Sequence, residues 1–289
     1  MSIKPWILAA RPKTLPAAIV PVWVGAAPAL LGGSTAPGSW FLFWCTLGSC
    51  VSIQIATNLF NDAIDHRKGA DTENRLGPTR VTSSGLLSPR TVMFGALAFC
   101  FFAAVISIPM VVARGWPVIA IGLVSLYFAY GYTGGPFPLA YRGMGELFVI
   151  LFFGFVAVLG SWFVQSGQIG GEGMWVLALQ CGFYSCVLIA INNLRDRVED
   201  AGTGKRTLAV RFGERFAKGE IAFFCLVPVV LGSLQKVEPI SQLIQQGPML
   251  IIGLIITVLV FRTPPGPVYN RFLALGAVQL ILFAVLQSV

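Results

Sequence analysis

Nine stretches of the 289-residue sequence are continuously apolar for about the length a helix needs to cross a bilayer: 15–32, 40–60, 91–113, 116–133, 146–165, 174–193, 219–234, 246–262 and 271–288. A hydrocarbon core takes roughly twenty helical residues, and backbone polar groups inside it must be satisfied within the segment or within a closed barrel. Barrel strands alternate apolar and polar residues, and these runs do not. With 11% charged residues against about 25% in an ordinary soluble domain, the composition agrees. The chain therefore reads as an all-α, polytopic membrane bundle of about nine transmembrane helices. Its first stretch follows Lys4, Arg11 and Lys13 after a long lead, with no convincing small-residue cleavage site, so we expect a retained span.

The net charge of +8 would suggest nucleic acid in a soluble protein, so its placement decides its meaning. With the N-terminus cytoplasmic, 18 of the 20 Lys and Arg residues fall on the cytoplasmic side, and Arg114 and Lys236 fall outside. That is the positive-inside bias; nine spans then put the C-terminus outside, and nucleic acid drops out as a partner. Six cysteines lie within the apolar runs without C-x-x-C pairing and read as small packing residues. The single His66 reads equally as a solvated loop residue or as a ligand beside Asp65.

No linker or low-complexity tract divides the chain, and we expect one domain over 1–289. External loops are short. On the cytoplasmic side, residues 62–90 and 195–218 form long connections carrying most of the charge, and loops of that length in a compact protein are commonly functional. Span two ends in Asn61-x-x-x-Asp65, and span six in Asn192-x-x-x-Asp196 with Asp200 one turn later. Four spans separate these points, so both helices end on the same face. The spacing suggests two parallel four-helix repeats followed by a final helix.

Asp62 and Asp65 are three apart and Asp196 and Asp200 four apart, so each pair shares a helical face if the helix continues. Both pairs sit where the helix dipole disfavours negative charge. Carboxylates at the bilayer boundary are costly unless paired. Something cationic should bridge them: either neighbouring Arg and Lys in salt-bridged loop ends, or a metal. Two clusters with Asn at the same offset favour the metal. An all-oxygen donor set suits Mg²⁺, whose remaining positions water and phosphate commonly fill, while zinc-type ligand sets are absent. Lys68, Arg75, Arg80, Lys205 and Arg206 around such a site imply an anionic ligand, most simply a diphosphate, and the apolar helices behind it imply a greasy tail. A prenyl diphosphate has both.

"NDAIDHRKGAD" (61–71) and "NNLRDRVED" (192–200) resemble the two aspartate-rich motifs of the UbiA-type intramembrane prenyltransferases. "RPKTLPA" (11–17), "DTENRLGPTR" (71–80), "YTGGPFPLAYRGMGE" (132–146) and "GKRTLAVRFG" (204–213) are most similar to the branch that prenylates 1,4-dihydroxy-2-naphthoate in menaquinone synthesis. The resemblance implies a Mg²⁺ site at Asn61, Asp65, Asp71, Asp196 and Asp200. Asp71, six beyond Asp65, departs from the simple N-D-x-x-D-x-x-x-D form. It implies catalytic roles for Asp65, Asp196, Lys68 and Tyr132, and substrate contacts at Asn58, Asp62, Arg75, Arg80, Arg142, Glu146, Asn192, Asn193, Lys205 and Arg206. The expected reaction is transfer of a polyprenyl group to the naphthoate with loss of CO₂, at the cytoplasmic face of a bacterial plasma membrane.

Two segments keep two readings at this point. "GGPFP" is either a short connection between spans or a second cap over the site, bringing Tyr132, Arg142 and Glu146 to the cation and the acceptor. Arg11 and Lys13 are either topology anchors or contacts to an acceptor carboxylate. Among other functions, a transporter of divalent cations or phosphate would put its site near the bilayer midplane rather than at span ends. A CDP-alcohol phosphatidyltransferase would need a D-G-x-x-A-R element that the sequence lacks. Another aromatic acceptor, such as 4-hydroxybenzoate, is the alternative within the enzyme class.

Overall fold

The computed structural model describes residues 3–32, 38–69, 76–77, 80–235 and 238–288, and every regular element among them is helical. Asp71 and Arg75 lie outside the described residues. The chain opens with α1 (Lys4–Ala10), a 3-10 turn (Pro12–Thr14) and α2 (Pro16–Leu30). Proline at the start of each piece removes a backbone donor, Arg11 between α1 and the 3-10 turn has φ 52°, and the chain bends by 52° between Lys4–Thr14 and Pro16–Leu30. The long α3 (Trp40–Arg67) is capped by Ser39, whose Oγ accepts from Leu42 N. It is followed by α4 (Pro89–Arg114), with Ser88 as cap and proline at the first turn, and by α5 (Trp116–Gly131).

The next span joins α6 (Gly145–Val149), a π-helical stretch (Ile150–Leu159) and α7 (Gly160–Ser166). Then come α8 (Glu172–Arg195), the short α9 (Arg197–Gly202), α10 (Leu208–Ser233), α11 (Pro239–Arg262) and α12 (Tyr269–Leu286). Seven helical segments among the described residues are long and apolar enough to cross a membrane, and the bent N-terminal pair counts as an eighth. The stretch expected at 116–133 is α5, whose 16 residues are short for a crossing. Two boundaries move. Helix α3 continues to Arg67, making Asn61–Asp65 helical, and α10 begins at Leu208 and is kinked at Gly213 (φ 83°), drawing much of the expected 195–218 loop into α9 and α10. A charged, amphipathic helix end is invisible to a search for apolar runs.

Helix α8 is the most buried of these spans and packs against α10, the π stretch and α12. Hydrophobicity alone does not bring helices together where lipid is as apolar as leucine, so close backbone approach matters. A methyl group on Gly154 would meet Ala178 O at 2.6 Å, and one on Gly25 of α2 would collide with Val158 O of the π stretch. Large apolar side chains such as Phe94, Phe101, Val112, Leu243 and Ile251 point outward, as a lipid-facing surface requires.

Candidate active site

The last two turns of α3 send Asn61 and Asp65 into one cavity and Asp62 elsewhere. Asp62 is fully buried; its carboxylate accepts from Val81 N (3.1 Å), Thr82 N (3.0 Å) and Thr82 Oγ1. It anchors the turn that begins α4 and does not line the cavity. Asp65, 1% exposed, accepts from Arg80 Nη2 (3.0 Å), Lys205 Nζ (3.4 Å) and Tyr141 Oη (2.8 Å). Lys205 Nζ also lies 3.7 Å from Asp200 Oδ1. One lysine therefore joins the two acidic motifs.

At the other motif, Asp196 occupies the junction where α8 ends and α9 starts, and Arg195 grips its carboxylate through Nε and Nη2, each at 2.7 Å. The same guanidinium reaches Asn270 Oδ1 of α12 at 2.7 Å. Buried ion pairs of this kind roughly break even for stability, because desolvation offsets attraction. Their concentration at one place is therefore not explained by folding. Lys68, at the C-terminal cap of α3, donates to Thr133 O (2.8 Å) and lies over the Tyr141 ring at 4.1 Å. Partial burial pulls its pKa below the ordinary lysine value, Asp65 opposes that, and Lys205 reinforces it.

Asn61, Asp65, Arg80, Arg195, Asp196, Asp200 and Lys205 line a polar chamber of about 500 Å³, together with Glu146, Asn192, Asn193, Arg11 and Lys13. A second chamber of about 310 Å³ runs between the helices behind it, walled by residues such as Ile53, Met110, Phe128, Phe152 and Val156. Lys13, Thr14, Asn61, Tyr132, Ile189, Asn192 and Leu273 line both, so the two chambers adjoin across these residues. Along its wall Tyr132 packs on Phe148 (5.2 Å between centroids), and Phe148 stacks on Phe152 (4.3 Å). Such a row of ring faces favours a cation.

Of the residues singled out in the sequence, Asn61, Asp65, Arg80, Tyr132, Glu146, Asn192, Asn193, Asp196, Asp200 and Lys205 share the polar chamber. Asn58 lines the apolar chamber and donates to Ala10 O (2.9 Å) and Thr14 Oγ1 (3.0 Å), tying the bent N-terminal pair to α3. Four of the described residues are not brought in. The Asp62 carboxylate is taken by residues 81–82, and Lys68 lies over the Tyr141 ring outside the chamber lining. Arg142 stacks over Phe137 at 3.9 Å, and the Arg206 side chain is exposed while its backbone N–H donates to Tyr141 O. Residues flanking the "GGPFP" turn reach the site: Thr133 donates to Asn61 Oδ1, and Tyr141 donates to Asp65 Oδ1. Sequence reasoning missed Tyr141, Glu199 and Arg195 as site residues. For Arg195, its place beside Asp196 is a usable sequence signal.

The donors facing the polar chamber from Asn61, Asp65, Asn192, Asp196 and Asp200 are carboxylate and amide groups, whose oxygens a hard cation prefers. Among the described residues no three carboxylate, imidazole or thiol groups form a ready cluster for a metal, and the carboxylates are paired instead with Arg80, Arg195 and Lys205. The donor set fits Mg²⁺ once those pairings exchange.

Comparison with known proteins agrees with this geometry. Residues 18–264 match the model of the UbiA prenyltransferase family. The chain is 35% identical over 268 residues to a 1,4-dihydroxy-2-naphthoate octaprenyltransferase of Mycobacterium tuberculosis, covering 92% of this chain and 87% of that one. It is 35% identical over 207 residues to the protein of the same description from Bacillus subtilis, covering 72% and 65%. Among solved structures, a UbiA homolog from Archaeoglobus fulgidus bound to GPP and Mg²⁺ superimposes with a TM-score of 0.68 at 15% identity, covering 99% of this chain and 100% of that one. The apo UbiA homolog from Aeropyrum pernix gives 0.69 at 12% identity, covering 99% and 98%. At these identities the structures establish the shared fold.

Proposed function

The chain belongs to the UbiA prenyltransferase family, and from that premise we propose that it transfers a polyprenyl group from a prenyl diphosphate to 1,4-dihydroxy-2-naphthoate, with loss of the acceptor's carboxylate as CO₂. The observation that carries this reading is a pair of adjoining chambers, one charged and oxygen-lined and the other apolar, that share Asn61, Tyr132 and Asn192. A diphosphate head suits the first and a prenyl tail the second. The naphthoate description of relatives 35% identical over most of the chain supports the acceptor.

Asp65, Asp196 and Asp200, with Asn61 and Asn192, would hold Mg²⁺, which when bound supplies charge neutralisation to a diphosphate. The rest falls to the chain's own residues. Arg80, Arg195 and Lys205, now paired with carboxylates, are the cations within reach of the diphosphate oxygens. When the C–O bond of the donor breaks, its electron pair leaves with the diphosphate and an allylic cation remains. The faces of Tyr132 and Phe148 stabilise that cation, and the apolar walls keep water from it. The ring carbon that bears the carboxylate attacks, a C–C bond forms, CO₂ leaves, and its bonding pair returns to the ring. The product is the reduced form of demethylmenaquinone. The basic bias of the loops supports a site on the cytoplasmic side of the membrane.

The test is an assay of purified protein with Mg²⁺, a prenyl diphosphate and a panel of aromatic acids. One CO₂ released per prenylated naphthoate is the expected result. Preference for 4-hydroxybenzoate, or a product that keeps its carboxylate, would overturn the acceptor assignment while leaving the family intact.

A further inference from the structure

Glu146 lies in the first turn of α6 and lines the polar chamber, with only 4% of its surface exposed. Its two carboxylate oxygens are used differently. Oε1 accepts from Asn193 Nδ2 at 2.7 Å, which fixes the plane of the group, whereas Oε2 is buried and has no hydrogen-bond partner. A helix N-terminus accounts for an acid at this place, but not for a buried carboxylate oxygen, on a residue that lines a cavity, with nothing to accept from. Tyr132 lines the same chamber and the apolar one adjoining it. The titratable groups near Glu146 are Tyr132, Cys186, whose thiol donates to Glu146 O at 3.3 Å, and Glu220 of α10.

We propose that Glu146 removes the proton of the acceptor's ring hydroxyl through Oε2 and later returns it. The proposal rests on the acceptor assigned above, an aromatic acid with a hydroxyl next to the carboxylated carbon. Transfer of the hydroxyl proton to Oε2 makes the ring a naphtholate, far more nucleophilic at the neighbouring carbon. Attack on the prenyl cation turns the oxygen-bearing carbon into a ketone, and the carboxylated carbon becomes quaternary. The adduct is then a β-keto acid. The bond to the carboxylate breaks, its electron pair flows to the ketone oxygen, and CO₂ departs. The naphtholate so regenerated recovers its proton from Glu146. No proton is gained or lost over the cycle, so one carboxyl group suffices. Asn193 is the positioning residue that aims it.

The experiment compares wild type, Glu146→Gln and Glu146→Asp with Mg²⁺, prenyl diphosphate and 1,4-dihydroxy-2-naphthoate across a pH series. Glutamine keeps the size and an acceptor for Asn193 but cannot take a proton. We expect kcat at neutral pH to fall about 10²–10⁴-fold, the usual worth of a general base. KM for both substrates should stay within about threefold, as a residue acting after binding requires. The rate of Glu146→Gln should climb with pH as the acceptor ionises by itself, and Glu146→Asp should recover part of the loss. Thermal midpoint and prenyl diphosphate binding report folding; if the glutamine variant is unfolded, the aspartate variant must show a pH profile displaced from wild type. A glutamine variant within about threefold of wild-type kcat, or one equally impaired at every pH with no rescue by aspartate, would overturn the role. A wild-type enzyme that does not prenylate the naphthoate would instead overturn the acceptor assignment, and this proposal with it.

Discussion

Lys205 Nζ stands 3.4 Å from Asp65 Oδ2, joining residues 140 positions apart. Through Lys205 the first acidic motif meets the second, because the same ammonium lies 3.7 Å from Asp200. The pairing should be energetically real. In a double-mutant cycle, Asp65→Asn and Lys205→Met should couple in stability by about 0.5–3 kcal/mol, read from unfolding of the purified protein. Each single variant should lose at least ~10²-fold in turnover, as the removal of charge-stabilising groups does. Additive stabilities would show that the contact contributes nothing.

Asp62 belongs to the same motif and should behave otherwise. Its carboxylate holds Val81 N and Thr82 N, so Asp62→Ala strands buried donors. Each stranded group costs about 1–3 kcal/mol, and a lowered thermal midpoint is expected. The Mg²⁺ concentration for half-maximal activity should not move in the folded fraction. A large rise in that concentration would return Asp62 to the metal.

Tyr141→Phe removes the hydroxyl that donates to Asp65 Oδ1 and keeps the ring beneath Lys68 and Lys205. A hydrogen bond to a charged group is worth about 1.5–3 kcal/mol, so stability should fall within that range. Tyr141→Leu removes the ring as well and should be worse than phenylalanine. Equal behaviour of the two would mean that the ring faces carry no cation–π attraction.

The close approach of α2 to the π stretch makes a steric prediction. Gly25→Ala places a methyl group against Val158 O and should prevent accumulation of folded protein. Gly160→Ala in the same span meets nothing within 4 Å and should be tolerated, with a gain of up to ~1 kcal/mol from helix propensity. Size-exclusion profiles of the two variants in detergent would separate these outcomes.

The basic bias makes a prediction about topology. In a variant free of native cysteines, cysteines placed at Ser83 and Ser241 should react with impermeant reagents from opposite sides of the membrane. Labelling from the same side would contradict a cytoplasmic N-terminus with an odd number of spans.

The helical class, the membrane setting and the two acidic helix ends were legible in the chain alone. Twenty-residue apolar runs and an Asn-x-x-x-Asp spacing are local patterns, and a bilayer leaves helices as nearly their only solution. The division of labour within those motifs was not. Asp62 and Asp65 look equivalent at three-residue spacing, yet one is taken by the backbone of residues 81–82 and the other faces the chamber. Arg142 looks like an acceptor contact and Arg206 like a phosphate ligand, but Arg142 stacks over Phe137 and Arg206 is exposed, whereas Tyr141, in an unremarkable Leu-Ala-Tyr turn, reaches Asp65. Which carboxylate meets which cation depends on where segments far apart in sequence return to one another. Pattern and composition report what a residue can do; only the packing of α3, α8 and the 132–146 segment selects the partner with which it does it.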